Sequence, residues 1–146
     1  MRTVIVILFV SFVLAVNLRS AESRRMTFEE IKEALQPVKK HCIERVGTDI
    51  KLIDNANKGK FVPDRKLQCY YKCMLLNTKA MKDDKIIEQA FKNNVKLLLL
   101  EQFVEPVTKA IDHCRPIAMK PLEGCELAYE LAKCYYEYDP SLVFYP

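Results

Sequence analysis

Apolar residues recur along this chain at the three- and four-residue spacing of a helix face, and no stretch alternates strictly as a half-buried strand would. Thr27 and Glu30 form a capping box, with Met26 and Ile31 placed as a hydrophobic staple; Ile31, Leu35, Val38, Cys42 and Val46 then extend one stripe to Gly47. Pro37 bends this first predicted helix. Thr48 caps a short second helix carrying Ile50, Ile53 and Ala56, which ends at Gly59 before the turn Phe61-Val62-Pro63-Asp64. The third runs from about Arg65 to Ala80 and holds Cys69 and Cys73 one turn apart on one face. The fourth carries Ile86, Ile87, Ala90 and Phe91 and stops at Asn93-Asn94, while the fifth, about Leu99 to Cys114, has to tolerate Pro106. The sixth spans about Gly124 to Tyr138 and is stopped by Pro140. The pattern predicts an all-α fold of six helices with no internal repeat.

The first residues read differently. Arg2 is a positive start, Val4 to Val16 is an apolar run broken only by Ser11, and Ala21-Glu22-Ser23 supplies small residues where a signal peptidase cuts. Residues 1–23 are therefore expected to be a secretory signal peptide and residues 24–146 one mature domain. The apolar run is short for a membrane span, and beyond it the longest aliphatic run is Leu97 to Leu100, so stable membrane insertion is not expected. Cleavage after Ser23 removes Arg2, Arg19 and Glu22, lowering the formal charge from +4 to +3. Acidic residues are mixed among the lysines, as in Lys82-Asp83-Asp84-Lys85, and there is no basic stripe for a phosphate backbone; nucleic acid is not an expected partner.

Export changes the reading of the six cysteines, which in an oxidising compartment are expected as disulfides, not metal ligands or nucleophiles. Six cysteines allow 15 pairings. Cys125 and Cys134 lie about 13 Å apart along one predicted helix, beyond disulfide reach, and Cys69 with Cys73 would be strained on one face. Ten pairings survive, and in each of them the third and sixth helices both make two bridges to other parts of the chain.

The order C-x26-C-x3-C-x40-C-x10-C-x8-C, with Cys69-Tyr70-Tyr71-Lys72-Cys73, Cys125-Glu126-Leu127-Ala128-Tyr129 and Lys133-Cys134-Tyr135, resembles the six-cysteine insect odorant-binding proteins over nearly the whole mature chain. One departure is Leu100, where many relatives have the proline that opens the fifth helix. The resemblance implies Cys42 with Cys73, Cys69 with Cys125 and Cys114 with Cys134, and a disulfide-linked bundle around an apolar cavity with the C-terminal tail as wall or lid. It also implies function: an extracellular carrier that takes small hydrophobic odorants or pheromones through aqueous fluid, such as sensillum lymph, to membrane receptors. The alternative is a non-olfactory secreted carrier or scavenger on the same scaffold. The expected partners are a volatile or lipid-like ligand and an odorant receptor, with the chain a monomer or weak homodimer and no cofactor.

Cavity residues are expected on the helix faces that also carry cysteines. These are Leu75 and Ala80 on the third helix, Ile87 and Phe91 on the fourth, and Phe103, Val107 and Ile111 on the fifth. On the sixth they are Ala128, Leu131, Ala132 and Tyr135. The tail Ser141-Leu142-Val143-Phe144-Tyr145-Pro146 is too apolar to be left in water, so Val143 and Phe144 are expected in the wall, with Tyr135 and Tyr145 offering hydroxyls. No catalytic residue and no metal site is assigned. His113 follows an aspartate, but no glycine-rich calcium loop, G-x-S-x-G or H-E-x-x-H accompanies it, and Cys114 is committed to a bridge.

Overall fold

The computed structural model describes residues 4–7, 24–143, 145 and 146. The expected signal peptide, apart from residues 4–7, and Phe144 lie outside the described residues. Among the described residues no helix is long and apolar enough to cross a membrane.

Helices follow in order: α1 (Phe28–Ala34), α2 (Gln36–Val46), α3 (Ile50–Ala56), α4 (Arg65–Asn77), α5 (Glu88–Leu98), α6 (Glu101–His113), α7 (Arg115–Ala118) and α8 (Gly124–Tyr138). A short 3-10 turn covers Pro140–Leu142. Both halves of the capping box form at the start of α1: Glu30 N donates to Thr27 Oγ1 at 3.2 Å, and Thr27 N donates to Glu30 Oε2 at 2.9 Å. Pro37 separates α1 from α2 instead of bending one helix, because a proline is tolerated in a first turn, where its missing N–H would be unpaired anyway. Asp49, not Thr48, caps α3; the Thr48 hydroxyl donates to Lys66 O at 3.0 Å and ties that turn to α4.

The chain departs from its hydrophobic pattern at two places that shape the interior. Helix α4 ends at Asn77, and the chain reverses through Lys79, at φ 60, into a two-residue antiparallel ribbon, β1 (Met81–Lys82) with β2 (Lys85–Ile86). Helix α5 then begins at Glu88 and runs through Asn93 and Asn94, the pair expected to end it, as far as Leu98, which seats Val95 and Leu98 on the inner wall. Asn94 is tolerated there because its amide donates to Thr78 O at 3.0 Å, satisfying a carbonyl left open by the end of α4.

Packing divides into two apolar clusters. The larger gathers Cys42, Ile53, Leu67, Tyr70, Tyr71, Met74, Leu127, Ala128, Tyr129 and Ala132 from α2, α3, α4 and α8. The smaller gathers Ile31, Val95, Leu99, Val107 and Ile111 from α1, α5 and α6. Cross-links are distributed unevenly between them. Cys42–Cys73 joins α2 to α4 and Cys69–Cys125 joins α4 to α8, both inside the larger cluster, while Cys114–Cys134 ties the end of α6 to α8. Helices α1 and α5 carry no disulfide. Instead Met26 pairs with the end of α5, its N–H donating to Leu98 O at 2.6 Å and its carbonyl accepting from Leu100 N at 3.0 Å.

Helix α5 is fastened at its other end by charge. Lys92 bridges Glu88 at 2.9 Å and Asp112 at 2.6 Å, and Arg115 bridges Glu88 at 2.6 Å and Asp112 at 2.7 Å. Arg115 grips Glu88 through both Nε and Nη2, the fork geometry that makes Arg–carboxylate pairs strong. Hydrogen bonding to Arg115, reinforced by Lys92 against some desolvation, holds the Glu88 carboxyl down at about 2.

Candidate ligand cavity

A cavity of about 110 Å³ lies at the seam where the two clusters meet. The larger cluster contributes Tyr71 and Met74 from α4 and Ala128 and Ala132 from α8; the smaller contributes Ile31, Val95 and Leu99. Alanine at 128 and 132 leaves room on α8 where Leu or Phe would fill it, and Leu131 and Tyr135 line the remainder of that face. None of the lining residues is charged.

The segment after α8 closes this space. Tyr145 lines the cavity, donates its hydroxyl to Ala132 O at 3.0 Å, and packs edge-on against Tyr71 with ring centroids 5.9 Å apart. Tyr70 reinforces the docking by donating its hydroxyl to Pro146 O at 3.0 Å. Burial pushes the phenols of Tyr70, Tyr71, Tyr135 and Tyr145 above the usual tyrosine range, so all four remain protonated donors. A smaller space of about 20 Å³ continues beneath the segment, bounded by Phe91, Val107, Ile111, Tyr135, Leu142, Val143 and Tyr145.

Of the residues expected from sequence, Leu75, Phe91, Ala128, Leu131, Ala132 and Tyr135 stand on the main cavity, and Val107, Ile111 and Val143 on the smaller space. Three stand apart from both. Ala80 is buried in the turn beyond the end of α4, and Ile87 precedes α5 with its side chain 36% exposed. Phe103 packs at a tilt on Phe28, ring centroids 4.3 Å apart, against the smaller cluster. The sequence reading missed Ile31 and Leu35, which open the first stripe two turns or more before its cysteine, Cys42, and Val95, Leu98 and Leu99, which lie past the asparagine pair. A signal was present: Val95, Leu98 and Leu99 follow Phe91 at four, seven and eight residues, the spacing of one helix face. Tyr71 and Met74 share a helix with two cysteines, and both line the cavity.

A second recess, about 510 Å³ and open at the surface, lies between the β-ribbon and the segment after α7. Its rim includes Asp83, Asp84, Lys85 and Lys120, so it presents charge to water and offers no dry enclosure. Among the described residues no cluster of three or more His, Cys, Asp or Glu could hold a metal ion.

A helical, disulfide-linked shell around an apolar cavity is the build of a carrier for small hydrophobic molecules. The PBP/GOBP family model matches residues 24–138, and the chain belongs to that family, which consists of odorant-binding carriers. General odorant-binding protein 72 of Anopheles gambiae is 20% identical over 119 residues, covering 82% of this chain and 98% of that protein. Odorant binding protein 5 of Apis mellifera superposes with a TM-score of 0.76 at 20% identity, covering 84% of this chain and all of that one. Odorant binding protein 4 of the predator Chrysopa pallens gives 0.74 at 28% identity, covering 83% and 99%.

Proposed function

We propose that this chain is a secreted carrier that takes up a small hydrophobic odorant or pheromone in the seam cavity and delivers it to a membrane receptor. The observation that carries this is the uncharged cavity of about 110 Å³ between two apolar clusters, bordered by Tyr145. An engineered cavity of about 150 Å³ lined by Leu, Ile and Phe stays dry and binds benzene, so the space suits a single small ring or short chain. A longer molecule fits once Tyr145 swings out. Leu142, Val143, Tyr145 and Pro146 act as the movable wall, held by two tyrosine hydroxyl bonds and one ring contact, and the bridged helices α4 and α8 form the fixed floor.

The test is titration of the refolded, fully oxidised chain with a fluorescent naphthylamine probe. Saturable binding of one probe per chain, competed by small apolar volatiles, is expected. Ala128→Leu, which fills the floor, should weaken the probe at least about tenfold. Absence of saturable binding, or an unchanged affinity in a folded Ala128→Leu variant, refutes the proposal.

A further inference from the structure

We propose that the hydroxyl of Tyr71 is the hydrogen-bonding point of the cavity, and that the preferred ligand is an apolar molecule bearing one acceptor oxygen, a ketone, ester or alcohol. The inference rests on the carrier function and narrows its ligand class. Tyr71 is 3% exposed and lines the cavity, and its hydroxyl is the buried side-chain polar atom that has no hydrogen-bond partner among the described residues. Three other polar side chains on the wall are already committed. Thr78 donates to Met74 O at 2.9 Å, the Asn94 amide to Thr78 O at 3.0 Å, and Tyr145 to Ala132 O at 3.0 Å.

Packing does not explain the hydroxyl. The ring of Tyr71 meets Tyr70, Tyr145, Phe61 and Tyr129 at centroid distances of 5.4, 5.9, 6.4 and 6.4 Å, contacts that phenylalanine would make equally well. An unpaired buried hydroxyl destabilises the protein, so its retention in a ligand cavity points to a partner that arrives with the ligand. Burial keeps the phenol protonated, so it donates and the partner accepts. With no Lys, Arg, Asp or Glu on the wall, an ammonium or carboxylate head group would enter without a counter-charge. Tyr145 stands edge-on to Tyr71, so a ligand at this hydroxyl also meets the Tyr145 ring.

Ethylbenzene and acetophenone share a carbon skeleton and differ by one carbonyl oxygen, and calorimetric titration of both against wild type and Tyr71→Phe isolates the contact. Tyr71→Phe is expected to weaken acetophenone about five- to tenfold and to leave ethylbenzene within about twofold. Unchanged acetophenone affinity, or equal weakening of both probes, overturns the assignment while leaving the carrier function intact. If neither probe binds wild type, the carrier function itself fails. An independent readout needs no variant: the infrared carbonyl stretch of acetophenone bound to wild type is expected below its position in hydrocarbon solvent, and an unshifted band overturns the proposal.

Discussion

Removing the Tyr145 side chain perturbs the wall where the C-terminal segment meets α4 and α8. The hydroxyl bond to Ala132 O contributes about 0.5–1.5 kcal/mol and the edge-on pair with Tyr71 a similar amount, so Tyr145→Ala loses roughly 1–3 kcal/mol of docking before ring burial is counted. If the bound state is held closed by this docking, dissociation quickens by the same free energy, between about five- and 150-fold. Tyr145→Phe keeps the ring contact and loses only the hydroxyl bond, placing it near about fivefold. Stopped-flow dissociation of a naphthylamine probe is the right assay, because removing the phenol also enlarges the cavity and can raise equilibrium affinity for a bulky probe. Off-rates of both variants within about twofold of wild type would refute a wall held by Tyr145.

The bridges differ in reach, and loop entropy ranks them. Cys69–Cys125 closes 56 residues and Cys114–Cys134 closes 20, so replacing both cysteines by serine is expected to cost about 4 and about 3 kcal/mol, read as denaturation midpoints. The smaller loss should nevertheless speed probe release more, since Cys114–Cys134 is the link between α6 and the cavity floor. Glu88 and Glu123 are both held down at about 2, chiefly by hydrogen bonds from Arg115 and Arg65. A lowered folded-state value means stabilisation that is fully present above about 4.5 and fades as pH falls toward 2. The melting-temperature gap between wild type and Glu88→Gln should therefore be constant from neutral to about pH 5 and close below it; a gap that closes between pH 7 and 5 contradicts the assignment. Gly59→Ala should destabilise by about 1–3 kcal/mol, because its φ of 85 is left-handed and a Cβ would lie 2.8 Å from the Tyr136 ring. A melting temperature equal to wild type would contradict that cost.

The fold was legible in the sequence where one physical signal acted alone. Cys69 and Cys73 one turn apart, the capping box at Thr27 and the stripe from Ala128 to Tyr135 each specified a helix and its inward face, and α1, α4 and α8 sit there. Legibility failed where a local signal was answered by a distant partner. Asn93-Asn94 reads as a helix end, yet Asn94 commits its amide to Thr78 O, sixteen residues away. The stretch from Thr78 to Ile86 has apolar residues compatible with a helix, but Lys79, Asp83 and Asp84 all adopt positive φ, and the turn they make carries Ala80 away from the wall. The cavity was legible only by halves. Cysteine-bearing faces pointed to the floor on α4 and α8, whereas the opposite wall, Ile31, Leu35, Val95 and Leu98, belongs to helices without a cross-link and reads as ordinary core.

That asymmetry also shapes function. Three disulfides hold α2, α4, α6 and α8, so the ligand-facing floor keeps its shape, while α1 and α5 are retained without a cross-link, by the backbone pairing at Met26, the Asn94 bond to Thr78 O, apolar packing and the four-residue charge cluster at Glu88. Local opening costs least where cross-links are fewest. The uncrosslinked wall and the Tyr145 segment are the parts of the shell able to yield to an entering ligand.

Carrier function depends on a small apolar molecule lodging between the two clusters. Isotope-filtered nuclear Overhauser contacts between ethylbenzene and a methyl-labelled chain measure this directly. Contacts to Ala128 and Leu131 on α8 together with Val95 and Leu98 on α5 are the predicted result; contacts confined to Met119 and Leu122 at the open recess would contradict it.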